Sequence, residues 1–225
     1  MEVDYSQDVR SFFPILKEYV FIPGPVGPIE AIVEVPACTQ SVHVAIICHP
    51  NPLNGGSLNS RLVKRLANAF TSLNIPTLRF NFRGTGMSTG THDFGLGERD
   101  DLLAVIDYVY NLFRSARIIL AGHSFGSYVA LKTADSINCD LLYTVSLPTH
   151  MVYRENVTIP SCKWIAIHGE MDDVACYDVF RDWVDTLEFQ PELKVFADAD
   201  HHFRDQLAVI DQTVADTYRQ VNRLK

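Results

Sequence analysis

The sequence predicts a doubly wound α/β fold: a mostly parallel sheet with helices on both faces and an antiparallel N-terminal edge. Three observations carry this reading. From residue 42 onward, short apolar runs alternate with amphipathic stretches. The runs are apolar at consecutive positions, as strands buried on both faces are. Each is separated from the next by enough chain for the helical crossover that parallel strands require.

The edge comes first. Tyr19 to Ile22 and Ile29 to Val35 read as strands around Pro23-Gly24-Pro25-Val26-Gly27-Pro28, whose prolines and glycines make a turn. The later runs are Val42–Cys48, Thr77–Phe82, Ile118–Ala121, Leu141–Ser146, Lys163–Ile167 and Leu193–Phe196. Helices are predicted near 58–73, 98–113, 126–137, 174–187 and 203–222. In the last, Leu207, Ile210, Val214 and Tyr218 recur at the spacing of one helix face. Between Ser146 and Lys163 lie 16 residues, room for a short excursion and not for a separate cap. No repeat or linker interrupts the chain, so one domain is expected over residues 1–225. In such sheets the active site forms at the carboxyl ends of the strands, which directs attention to the residues after each run.

Hydrophobic residues make up 47% of the chain and charged residues 20%, the composition of a folded protein. Nineteen Lys and Arg against 27 Asp and Glu give a net charge of −8, which argues against nucleic acid or an anionic membrane as partner. Cys38, Cys48, Cys139, Cys162 and Cys176 form no C-x-x-C pair and are odd in number, so reduced thiols are expected. The acidic start MEVDYSQDVR leads into no long apolar stretch, which reads as no signal peptide. No run approaches the ~18 apolar residues that span a bilayer. A cytoplasmic protein is expected.

After the Ile118–Ala121 run comes Gly122-His123-Ser124-Phe125-Gly126, followed by a helical stretch. This is G-x-S-x-G in a strand–turn–helix setting. A strand reversing into a helix within one residue strains the backbone at the serine and leaves no room for side chains at the flanking positions. Ser124 is the candidate nucleophile; the alternative is an exposed serine in a tight turn. Gly86-Met87-Ser88-Thr89-Gly90 fits the same pattern, but it follows the end of a strand by several residues and leads into a loop, so Ser88 is rejected.

A serine hydroxyl needs a histidine to take its proton and a carboxylate to orient that histidine. Lys163–Ile167 leads into His168-Gly169-Glu170-Met171-Asp172, and Leu193–Phe196 into Asp198-Ala199-Asp200-His201-His202. The candidates are Asp172, with Asp173 beside it, and His201, with His202 beside it. A tetrahedral intermediate also needs two N–H donors. One is expected at Phe125. The other belongs to the loop after Cys48, where Pro50 and Pro52 have no N–H and leave Asn51 first and Leu53 second.

The stretch from His49 to Phe203 resembles the α/β-hydrolase superfamily. More narrowly, it is similar to small lidless bacterial members related to dienelactone hydrolases and the prolyl-oligopeptidase catalytic domain. The resemblance rests on His49-Pro50-Asn51-Pro52-Leu53-Asn54-Gly55-Gly56, Arg79–Ser88, Gly122–Gly126, His168–Asp172 and Asp200–Phe203. It implies Asp172 as the acid, His201 as the base and Asn51 as the second oxyanion donor. The relatives often carry an aromatic where His202 stands and a glycine where Asp198 stands.

No nucleotide loop or H-E-x-x-H is present, and Asp198, Asp200, His201 and His202 are a poor metal site because adjacent side chains seldom converge on one ion. No metal or cofactor is expected. His49 is read as a contact to substrate or as a structural bond holding its loop, and Arg83 as an internal ion-pair partner. Leu53, Phe94, Met151 and Tyr153 are candidate borders of an open site, the alternative for Phe94, Met151 and Tyr153 being that they are packing residues. The expected function is a serine hydrolase cleaving small carboxylic esters or thioesters through an acyl-enzyme. The alternatives are a serine peptidase-like hydrolase and a non-catalytic small-molecule binding protein on the same fold.

Overall fold

The structure is a computed structural model describing residues 15–154 and 157–223; the N-terminal segment read above as no signal peptide lies outside them. The strands are β1 (Ile15–Gly24), β2 (Gly27–Pro36), β3 (His43–Cys48), β4 (Thr77–Phe80), β5 (Arg117–His123), β6 (Cys139–Val145), β7 (Lys163–Gly169) and β8 (Glu192–Phe196). The helices are α1 (Arg61–Thr71), α2 (Leu96–Leu112), α3 (Phe125–Ala134), α4 (Thr149–Arg154), α5 (Tyr177–Val184) and α6 (Leu207–Arg223). One sheet runs in the order β1-β2-β4-β3-β5-β6-β7-β8. Pairings from β3–β4 to β7–β8 are parallel, while β1–β2 and β2–β4 are antiparallel.

Strand β3 shows why the apolar runs are continuous. Val44, Ile46 and Cys48 face a core under α2 and α3, and Ala45 and Ile47 face a second core under α1 and α6. Every residue of β3 is buried, so neither face tolerates a polar alternation. The β1–β2 hairpin turns at Pro25-Val26, with Gly24 opposite Gly27. Between β6 and β7 the only helix or strand among the described residues is the short α4. No helix among the described residues is long and apolar enough to cross a membrane.

Several boundaries differ from the sequence reading, each for a local reason. Strand β4 stops at Phe80 because the Phe82 amide donates to Nε2 of His49 (3.0 Å) instead of to a neighbouring strand. Strand β5 continues to His123 because its pairing with β6 runs on through Gly122 and His123. Helix α5 begins only at Tyr177, since the Val174 and Ala175 amides are held by the Asp172 carboxylate. All five cysteines are free.

Candidate active site

Ser124 lies between β5 and α3 with φ 54° and ψ −121°, outside the regions a side-chain-bearing residue prefers. The neighbouring glycines explain how the chain holds it. A Cβ on Gly126 would stand 2.4 Å from the carbonyl oxygen of Cys48, and one on Gly122 would stand 2.4 Å from the backbone of Gly126. The start of α3 therefore sits directly on the end of β3, and the Ser124 amide donates to the Val145 carbonyl of β6 (2.8 Å).

Three side chains from three strand ends meet here. Nε2 of His201, after β8, lies 3.0 Å from Oγ of Ser124. Nδ1 of His201 lies 2.9 Å from each carboxylate oxygen of Asp172, after β7. All three residues are buried, with Ser124 8% exposed. Burial works to raise the Asp172 pKa; hydrogen bonds from His201 and the Ala175 amide outweigh it and leave the carboxyl below its ordinary value. Asp173 is exposed. Asp198 is likewise exposed, and its φ is not among the positive values, so that position has no need of glycine.

The backbone amides of Asn51 and Phe125 have no hydrogen-bond acceptor among the described residues. The Leu53 amide is taken, donating to Oδ1 of Asn51 at 2.9 Å, so of the two loop candidates only Asn51 has a free N–H. His49 calls for a correction as a substrate contact. It is completely buried, its Nδ1–H donates to the Pro50 carbonyl (2.7 Å) and its Nε2 accepts from Phe82, so it has no group to offer a ligand. Burial pushes its pKa down to about 4. It acts as a strut between the Pro50 loop and the end of β4.

Leu53, Phe94 and Tyr153 are exposed, and Met151 packs partly against the core. Phe94 stands edge-on to His92, which in turn contacts Phe125. Ser88 is structural: its hydroxyl donates to the Asn81 carbonyl (2.7 Å) and accepts from the Glu30 amide (2.9 Å). Arg83 forms a two-pronged pair with buried Asp101 at 2.8 and 3.0 Å.

Two supporting residues escaped sequence reasoning. Nε2 of His123 donates to the His201 carbonyl (2.9 Å), and Oγ of Ser146 donates to the same oxygen (3.2 Å), fixing the loop that carries the imidazole. Ser146 has φ 52° and carries no sequence signal. His123 was visible as the variable residue of the G-x-S-x-G motif, but only the fold shows what it faces.

This fold and this strand-end cluster define an α/β hydrolase. The model of the alpha/beta hydrolase family matches residues 45–222, and the chain belongs to that family. Among solved structures it is similar to XC6422 from Xanthomonas campestris, described as an a/b serine hydrolase without lid. That match has 34% identity over 92% of this chain and 96% of the other, with a TM-score of 0.87. An alpha-beta serine hydrolase homologue from Coxiella burnetii is also 34% identical, over 89% and 96% of the two chains, with a TM-score of 0.84. Among curated proteins it is 27% identical to uncharacterized protein RP471 of Rickettsia prowazekii, over 88% of this chain and 87% of that one.

Proposed function

We propose that this α/β hydrolase cleaves small carboxylic esters or thioesters through a Ser124–His201–Asp172 triad and an acyl-enzyme. The observation that carries the reading is the unbroken chain of contacts from Ser124 Oγ to His201 Nε2 (3.0 Å) and from His201 Nδ1 to Asp172 (2.9 Å). His201 takes the hydroxyl proton as Oγ attacks the acyl carbon. Asp172 keeps the proton of His201 on Nδ1 and stabilises the imidazolium that forms. The Phe125 and Asn51 amides bind the oxyanion; being unpaired beforehand, they need break no bond to do so. Collapse expels the alcohol or thiol, which takes the proton back from His201. Water, deprotonated by His201, then releases the acid.

An open rim supports small substrates, with Leu53, Phe94 and Tyr153 all more than 60% exposed. The test is labelling with a fluorophosphonate, together with turnover of p-nitrophenyl esters of rising chain length. Wild type is expected to label and to hydrolyse the shorter esters. Ser124→Ala should abolish labelling and lower kcat by about 10⁴–10⁶-fold. Labelling that survives in Ser124→Ala would remove this serine from the mechanism.

A further inference from the structure

A cavity of about 310 Å³ lies between the Pro50–Gly56 loop and the start of α1, with His123 and His202 in its wall. His123, His201 and His202 each offer a ring nitrogen, and these three atoms lie within 4.8 Å of one another. Their ring centroids are 5.0–5.5 Å apart.

The hydrogen bonds fix where the lone pairs are. A carbonyl oxygen only accepts, so Nε2 of His123, 2.9 Å from the His201 carbonyl, must carry the ring proton. Nδ1 of His123 is therefore a bare lone pair, and it is buried without a partner. A buried polar atom left unpaired in this way calls for an explanation. His201 likewise carries its ring proton on Nδ1, toward Asp172, but its Nε2 lone pair already faces the Ser124 hydroxyl. His202 is exposed, and its ring makes no hydrogen bond among the described residues.

Metal-binding histidines nearly always donate their second ring N–H to a carboxylate or a backbone carbonyl, which aims the free nitrogen at the ion. His201 has the carboxylate of Asp172 and His123 has the carbonyl of His201. We propose that His123, His201 and His202 bind a divalent transition ion of the Zn²⁺ class, and that occupancy stops hydrolysis by taking the Nε2 lone pair of His201 that faces Ser124. The all-imidazole donor set selects Zn²⁺, Co²⁺, Ni²⁺ or Cu²⁺ over Mg²⁺ and Ca²⁺. Tetrahedral Zn–N bonds of about 2.0–2.1 Å put the nitrogens about 3.3 Å apart, so the cluster must close on the ion. The His202 ring, which makes no hydrogen bond among the described residues, supplies that movement by rotating while its backbone amide stays on Asp200. The inhibitory half of the proposal rests on Ser124 and His201 being the catalytic pair; the binding half does not.

The test uses the full chain as wild type, His202→Gln and His123→Gln, with Co²⁺ absorption read during Zn²⁺ competition and fluorophosphonate labelling read alongside. Wild type is expected to bind one Co²⁺ that Zn²⁺ displaces, and to lose labelling in proportion to occupancy, with EDTA restoring it. His202→Gln should bind Zn²⁺ at least tenfold more weakly while its labelling rate in EDTA stays that of wild type. His123→Gln should weaken binding too; if it fails to fold, the exposed His202 variant decides alone. Equal Zn²⁺ affinity in wild type and His202→Gln, or no binding at millimolar Zn²⁺, overturns the site. Labelling indifferent to bound Zn²⁺ overturns the inhibition. Metal binding that depends on His202 in a protein that never labels upholds the site and refutes the serine-hydrolase reading instead.

Discussion

At position 172 both carboxylate oxygens lie 2.9 Å from Nδ1 of His201, while the neighbouring Asp173 is exposed to solvent. Oδ1 of Asp172 also accepts from the Val174 and Ala175 amides at 3.0 and 2.7 Å, so the carboxylate is held by its own loop before it meets the imidazole. An amide at this position would keep the shape and allow the opposite tautomer, placing a proton on Nε2 where Ser124 needs an acceptor. Asp172→Asn is therefore expected to lower kcat for p-nitrophenyl esters by about 10⁴-fold. Asp173→Asn should leave kcat unchanged. Equal losses in the two variants would show that the acid works through general charge and not through this hydrogen bond.

The elements that carry these residues are tied together at their ends. Ser124 stores backbone strain of about 1–3 kcal/mol at its positive φ. Ser124→Gly removes that strain but adds about 0.4–1 kcal/mol of unfolded-chain entropy. A net gain of about 1 kcal/mol is expected in urea denaturation, and a loss would mean that the turn is not strained. A second tie joins the loop after β4 to α2. There the Asp101 carboxylate accepts two bonds from the Arg83 guanidinium and one from the Arg83 amide (2.9 Å). Asp101→Ala leaves the guanidinium buried and unpaired, which is expected to cost about 3–5 kcal/mol. Denaturant midpoints check this, and a loss below 1 kcal/mol would mean that Arg83 finds water.

For the whole molecule, buried histidines set the acid limit of stability. Burial lowers the pKa of His49 to about 4 and of His123 to about 3, and it lowers that of His168 as well. Below the ordinary value of 6.5 the unfolded chain binds protons that the folded chain refuses. Stability is therefore fully present above pH 6.5 and falls as pH drops toward the folded values. His49 and His123 each contribute a slope of up to about 1.4 kcal/mol per pH unit, so the two together approach about 3, and His168 acts in the same direction. Urea midpoints should fall steadily from pH 6.5 to 4.5. A flat profile over that range would show that these rings protonate without unfolding the protein.

The strand runs, their helical crossovers and the chain order Ser124, Asp172, His201 were legible in the amino-acid order, because burial on two faces and the crowding of a strand–helix turn leave local signatures. The choice between Asn51 and Leu53 was not legible. In the proposed site it turns on one side-chain bond, from the Leu53 amide to Oδ1 of Asn51, which occupies one candidate N–H and leaves the other free. The grouping of His123 with His201 and His202 was hidden too, because the nearer pair lies 78 residues along the chain from the third ring. Local patterning determined which segments become strands and which residues stand at their ends. Only the packed sheet decided which of those residues meet, since parallel pairing sets β5 beside β6 and β7 beside β8, and distance in space then no longer follows distance along the chain.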